Sequence, residues 1–129
     1  MNVNSGEVTK LPNHGDVLTT PAAWSPDDSK IVFAAGSHRN ADLYIINLNT
    51  NQEVRLTTDD VLNAMPSWSP DGSKIAFMSN RSGNLDIYTI KPSGEELIQI
   101  TTHDPEDGWP RWSPNGFQIA FFSMRDGNF

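Results

Sequence analysis

Three observations predict an all-β protein built from repeated blades. The segment Trp68 to Phe77, WSPDGSKIAF, has close copies beginning at Trp24 (WSPDDSKIVF) and at Trp112 (WSPNGFQIAF). The step between successive tryptophans is 44 residues both times. No window longer than a few residues carries a helical period, whereas short β-forming runs alternate with turn residues throughout. Self-similarity at about 40 to 45 residues is a signature of β-propeller blades, each a sheet of four antiparallel strands.

The unit from Trp68 shows how the elements are read. Met65 to Trp68 is apolar or aromatic around Pro66 and forms the first strand. Asp71-Gly72 between two apolar runs is a hairpin turn, because glycine adopts positive φ at little cost. Lys74 to Met78 is the second strand, Ser79 to Asn84 a loop, and Asp86 to Ile90 the third strand. Pro92 to Glu95 turns the chain into a fourth strand, Glu96 to Ile100, and Thr101 to Gly108 returns it to the next Pro-x-Trp. Laid over this unit without a gap, the unit from Trp24 places its second to fourth strands at Lys30 to Phe33, Asp42 to Asn47 and Glu53 to Leu56. Its hairpin has Asp28 in place of glycine, and Asp tolerates that conformation better than most residues.

The organisation expected is a single propeller segment over 1–129, with repeats at 24–67 and 68–111 and an incomplete one at 112–129. The third unit has a hairpin at Asn115-Gly116 and a strand over Gln118 to Phe122, then stops at Phe129 before an Asp-x-Tyr segment. Residues 1–23 supply a closing outer strand: Asn4 to Glu7 reads as a third turn and Val8 to Leu11 as a fourth strand. Only the Asp-x-Tyr strand has no counterpart at either end.

Composition narrows the function classes. A net charge of -7 with nine scattered basic residues argues against a nucleic-acid partner, which would need clustered Lys and Arg. No apolar run approaches the roughly 18 residues of a spanning helix, so no membrane insertion is expected. The N-terminal residues do not read as a signal peptide. The absence of cysteine removes disulfides and thiolate metal sites.

The pattern Pro-x-WSPDGxxIAF, then Arg-x-Gly-Asn-x-Asp-Ile-Tyr, a Ser-Gly turn and an (Ile/Leu)-Thr-Thr ending resembles the WD40-like PD40 repeat of TolB-type β-propellers. The same repeat occurs in propeller domains of tricorn-like and prolyl-oligopeptidase-like proteins. The departures are Asp28, Ala22 where the other units have Pro66 and Pro110, Ser37-His38-Arg39 in place of the Arg-x-Gly loop, and the short third unit. The resemblance implies six blades per ring, so that three blades make half of one. It also implies a non-enzymatic interaction or scaffold role, as in TolB, which binds a peptidoglycan-associated lipoprotein, and it favours a periplasmic or extracytoplasmic location. The alternative it offers is the gating propeller of a peptidase.

Individual residues sort into two sets. Trp24, Trp68 and Trp112 recur at one blade position and are expected in the blade core, with Phe33, Phe77, Phe121, Tyr44 and Tyr88. Asp42 and Asp86 precede apolar strands and are expected to be hydrogen-bonded structural carboxylates. No G-x-S-x-G elbow and no H-E-x-x-H occurs, so no catalytic residue, metal or cofactor is assigned. The second set lies on loops entering first strands or joining second to third strands: His38, Arg39, Asn63, Arg81, Asp104, Glu106, Asp107, Trp109 and Arg125. This mixture of acids, bases, an amide and an aromatic suits a protein or peptide partner. Because propellers use about 4 to 8 blades and open arcs leave edges and faces uncovered, self-association is expected as well. Two chains make a six-bladed homodimer ring, with Val8 to Leu11 of one chain pairing beyond Gln118 to Phe122 of the other.

Overall fold

The structure, a computed structural model, describes Gly6, Val8 and residues 21–125. Those residues form strands and connections only, with no helix among them. The turn expected over Asn4 to Glu7, the outer strand over Val8 to Leu11 and the tail from 126 lie outside the described residues, apart from Gly6 and an exposed Val8.

The first sheet contains β1 (Ala23–Trp24), β2 (Lys30–Gly36), β3 (Ala41–Asn47) and β4 (Glu53–Arg55), hydrogen-bonded in that order. The second contains β5 (Asn63–Trp68), β6 (Ile75–Ser79), β7 (Asp86–Ile90) and β8 (Ile98–Gln99), again in chain order. The third has β9 (Asp107–Trp112) and β10 (Ile119–Ser123). Every strand pair is antiparallel. The middle pairs keep one register 44 residues apart, since Phe33 faces Tyr44 and Phe77 faces Tyr88.

The hairpins before β2, β6 and β10 are built by side chains. The Ser69 hydroxyl donates to Asp71 Oδ1 at 2.6 Å, and that oxygen also accepts from the Ser73 amide at 3.0 Å. Ser69 Oγ then accepts from the Lys74 amide at 2.9 Å, which closes the turn. Ser25, Asp27, Ser29 and Lys30 repeat every one of these bonds. The turn requires a left-handed residue, and Asp28 (φ 57) adopts the conformation that Gly72 (φ 72) and Gly116 (φ 75) reach without a Cβ.

Successive sheets stack face to face. Trp68, Ile75, Phe77, Tyr88 and Ile90 of the second sheet form one buried cluster with Val32, Ala34, Leu43, Ile45 and Leu56 of the first. On the other face of the second sheet, Ala64, Met78 and Ile87 are buried against Met65, Ile119 and Phe121. Each sheet therefore offers an aromatic face backward and an aliphatic face forward. Fully buried side chains such as Ile75 and Phe77 contribute roughly 1.5–3 kcal/mol each through apolar transfer.

Trp24 corrects the expectation of three equivalent core tryptophans. It is 57% exposed, against 9% for Trp68. Trp68 is covered by the forward face of the sheet before it, and among the described residues no sheet precedes β1. Trp112 and Phe121 are half-buried, on a third sheet of two strands.

The innermost strands carry an unexpected bulge. Between Ala64 and Ser67 the register of β5 on β6 shifts, and β9 shifts on β10 at the corresponding place. Met65 (φ 54) and Trp109 (φ 51) occupy left-handed conformations at these sites. A bulge puts two residues opposite one and bends the strand. In the first unit the equivalent residue is Pro21, whose ring fixes φ near −65°. That position is therefore closed to the left-handed bulge, and β1 has only two residues.

Candidate functional site

The loops entering first strands and those joining second to third strands meet at one end of the sheets, where they are tied by side chains. Arg81, on the loop after β6, reaches back to the loop arriving from the previous sheet. Its Nη2 lies 2.8 Å from Asp59 Oδ2 and donates to Asn63 Oδ1 at 2.8 Å. Its guanidinium lies over the Phe77 and Tyr88 rings, 5.8 Å and 5.1 Å from their centroids. Asn63 in turn donates from Nδ2 to the Ala41 carbonyl at 3.2 Å. Coulombic attraction, hydrogen bonds and a ring quadrupole thus hold one arginine.

The third unit solves the same problem with its acid moved. Arg125, 44 residues after Arg81, donates to Asp107 Oδ2 at 2.9 Å and lies 5.5 Å above the Phe121 ring. Asp107 stands where the second unit has Asn63, and His103 stands where it has Asp59. Each arginine therefore has one carboxylate, placed four residues apart in the two loops. Burial pushes the Asp107 carboxyl up. The Ser123 hydroxyl, Arg125 and the Thr101 hydroxyl together outweigh it and hold the group below the usual carboxylate range.

Further bonds fasten the same loops. Asn84 Nδ2 donates to the His103 and Asp104 carbonyls at 2.9 and 3.1 Å, and Asn40 Nδ2 donates to Asp60 Oδ1 at 3.3 Å. Behind them, Asp86 accepts from Ser82, Gln99 and Thr101 at 2.6, 3.0 and 3.0 Å. Asp42 accepts from Thr57 at 2.8 Å and is paired with Arg55. The hydrogen bond to Asp42, with its charge, raises the Arg55 pKa.

The expected loop set therefore divides. His38, Arg39, Asp104 and Glu106 are exposed on the rim. Asn63 and Asp107, expected there, are fully buried: each opens a first strand and spends its side chain on an arginine. The sequence reading began these strands too late, because Asn63 and the run Asp107-Gly108 carry turn-forming residues. Arg81 is largely covered. Trp109 is half exposed but belongs to the forward face of the third sheet, with Phe122 edge-on at 5.7 Å, in an apolar cleft beside Leu85 and Met124. Its counterpart Met65 packs against β10. The compensating exchange at 59/63 and 103/107 was readable in the 44-residue alignment once both arginines were taken as fixed points. Among the described residues no three His, Asp or Glu side chains are grouped to hold a metal ion.

Comparison with known proteins agrees with this architecture. The PD40 family, described as the TolB beta propeller domain, matches residues 1–129. A structure described as TolB from Agrobacterium tumefaciens superposes with a TM-score of 0.75 at 30% identity over 84% of this chain and 40% of that one. TolB from Acinetobacter baumannii gives 0.70 at 32% identity over 82% of this chain and 27% of that one. A puromycin-hydrolyzing peptidase of Mycobacterium tuberculosis, at 14% identity, shares the fold with a TM-score of 0.71 over 93% of this chain and 20% of that one. The chain spans less than half the length of either TolB structure. Comparison with curated proteins finds no match. With three in-phase repeats, stacked four-stranded sheets and a match over its full length, the chain belongs to the PD40 family of TolB β-propeller domains.

Proposed function

We propose that this propeller segment is a non-enzymatic interaction module that binds a protein or peptide partner on its loop face. The observation that carries the reading is the set of ties between loops: Arg81, Arg125, Asn84 and Asn40 each fasten one loop to a neighbouring strand or loop. Loops fixed before binding lose little entropy on association. They present His38, Arg39, Asp104 and Glu106 as an exposed mixed-charge rim. By the family resemblance the partner is a peptidoglycan-associated lipoprotein and the location extracytoplasmic. The peptidase-gate alternative draws on the likeness to the puromycin-hydrolyzing peptidase.

The two-chain ring is part of the same reading. Trp24, Ile100 and Trp109 are large apolar side chains left about half exposed, and all three stand where stacked sheets cover one another. Calorimetry of the 129-residue chain with a soluble peptidoglycan-associated lipoprotein domain tests the partner. Saturable binding is expected, with at least a tenfold loss for Asp104→Lys/Glu106→Lys at an unchanged melting temperature. Absence of binding, or binding indifferent to the double substitution, overturns it. Light scattering on the same sample is expected to give twice 14.3 kDa, and a folded monomer at 14.3 kDa refutes the ring.

A further inference from the structure

The third sheet is half of a site whose other half is visible in the second. β7 lies beside β6 with Ile90 facing Ile75, Tyr88 facing Phe77 and Asp86 facing Ser79. β3 lies beside β2 in the same register, and its Asp42, Tyr44 and Ile46 face Ala35, Phe33 and Ile31. β10 carries the same side chains as β6 at these places, Ile119, Phe121 and Ser123, yet among the described residues it pairs with β9 alone.

Two measurements mark what belongs at that edge. Arg81 is held between two rings and its side chain is 18% exposed, whereas Arg125 rests on Phe121 and is 38% exposed. A tyrosine opposite Phe121 would supply the second ring. Leu56 is 8% exposed because it packs in the cluster with Tyr88 and Ile90, and its counterpart Ile100 is 45% exposed. An aliphatic residue two places after that tyrosine would cover it.

We infer that the open edge of β10 accepts, by antiparallel strand addition, an extended polypeptide segment of pattern Asp-x-Tyr-x-Ile supplied in trans. Asp lies opposite Ser123, Tyr opposite Phe121 and Ile opposite Ile119. Main-chain hydrogen bonds give such a mode its affinity, and alternate side chains give it selectivity. Both Asp-x-Tyr segments of this chain are already in place as β3 and β7, so a folded second copy has none to offer. The edge is separate from the loop rim, and the inference rests only on the blade register.

The backbone dictates a direction-sensitive test. The Ile87 carbonyl accepts from the Ile100 amide, so residue 87 points its main chain away from β6, and strand alternation turns the Tyr88 amide toward β6. A labelled peptide with the sequence of residues 84–90, Asn-Leu-Asp-Ile-Tyr-Thr-Ile, is titrated with the full chain by fluorescence anisotropy. Saturable binding is expected, at least tenfold weaker when the peptide tyrosine is serine or carries an N-methyl group. N-methylation of the isoleucine before it should change affinity less than threefold. Asp104→Lys/Glu106→Lys in the protein should leave the titration unaltered, which separates this edge from the partner rim. No saturable binding, or equal loss with the two N-methyl peptides, overturns the inference. So does light scattering that shows two copies joined and the peptide excluded, because the occupant is then a second chain.

Discussion

Trp24 and Trp68 occupy the same place in two copies of one motif and live in different surroundings. Each is followed by the same serine and carboxylate hairpin and by an Ile-x-Phe strand. Trp68 is 9% exposed beneath the forward face of the first sheet, and Trp24 is 57% exposed. The repeat thus encodes where a side chain points, while burial requires the sheet next door. Stability in such stacked repeats is a sum of terms within units and between neighbours, and these two rings isolate the second kind.

The sharpest way to break this comparison is truncation of both rings. Trp68→Ala is expected to cost about 3 to 5 kcal/mol, the range for deleting a large buried aromatic, and Trp24→Ala about 0.5 kcal/mol or less, as at exposed sites. Equal losses in denaturant unfolding would show that the first sheet's tryptophan is covered in solution. A smaller effect comes from the hairpins. Asp28→Gly, which gives the first unit the glycine of the second, is expected to stabilise by roughly 1 kcal/mol by relieving a left-handed residue that carries a Cβ. A destabilised Asp28→Gly in thermal melts would mean that the Asp28 side chain holds the turn.

The smallest effect is a pH dependence shared by two units. Hydrogen bonds, first from Ser25 and Ser69 and then from Ser29 and Ser73, lower the Asp27 and Asp71 carboxyls to about 2. A carboxyl depressed in the folded state contributes stability above its unfolded value, near 3.9, and loses it as pH falls through the folded value. Both hairpins should therefore weaken between about pH 4 and pH 2. The third unit, with Asn115 accepting from Ser113 and from the Phe117 amide, has no group titrating there. Asp27→Asn/Asp71→Asn should flatten the stability profile in that window, and an unchanged slope would place the acid lability elsewhere.

Blade phase, hairpins and third strands were legible because each has a local chemical cause. β7 runs from Asp86 to Ile90, as its alternation and β-forming residues require. The starts of β5 and β9 were not legible, since Asn63, Asp107 and Gly108 favour turns in isolation and are held in strands by Arg81, Arg125 and the opposite strand. The bulge at Met65 and Trp109 was invisible for a related reason: nothing in methionine or tryptophan marks a positive φ, and only the partner strand's register reveals it. The same gap explains the burial of Asp107. A carboxylate in an acidic run reads as solvated until the arginine 18 residues later is folded against it.

The exchanged carboxylates constrain how one loop can be converted stepwise into the other. Going from the Asp59/Asn63 arrangement to that of His103/Asp107 takes two substitutions, and their order matters. Losing the first acid before gaining the second leaves a largely covered guanidinium above aromatic rings with no counter-charge, the costly state for a buried ion. Gaining the second acid first gives a loop with two carboxylates, one of them at the half-exposed position of Asp59 where water solvates it. The passable route therefore runs through surplus negative charge, and loops bearing acids at both positions are the intermediates to look for when such repeats are recombined.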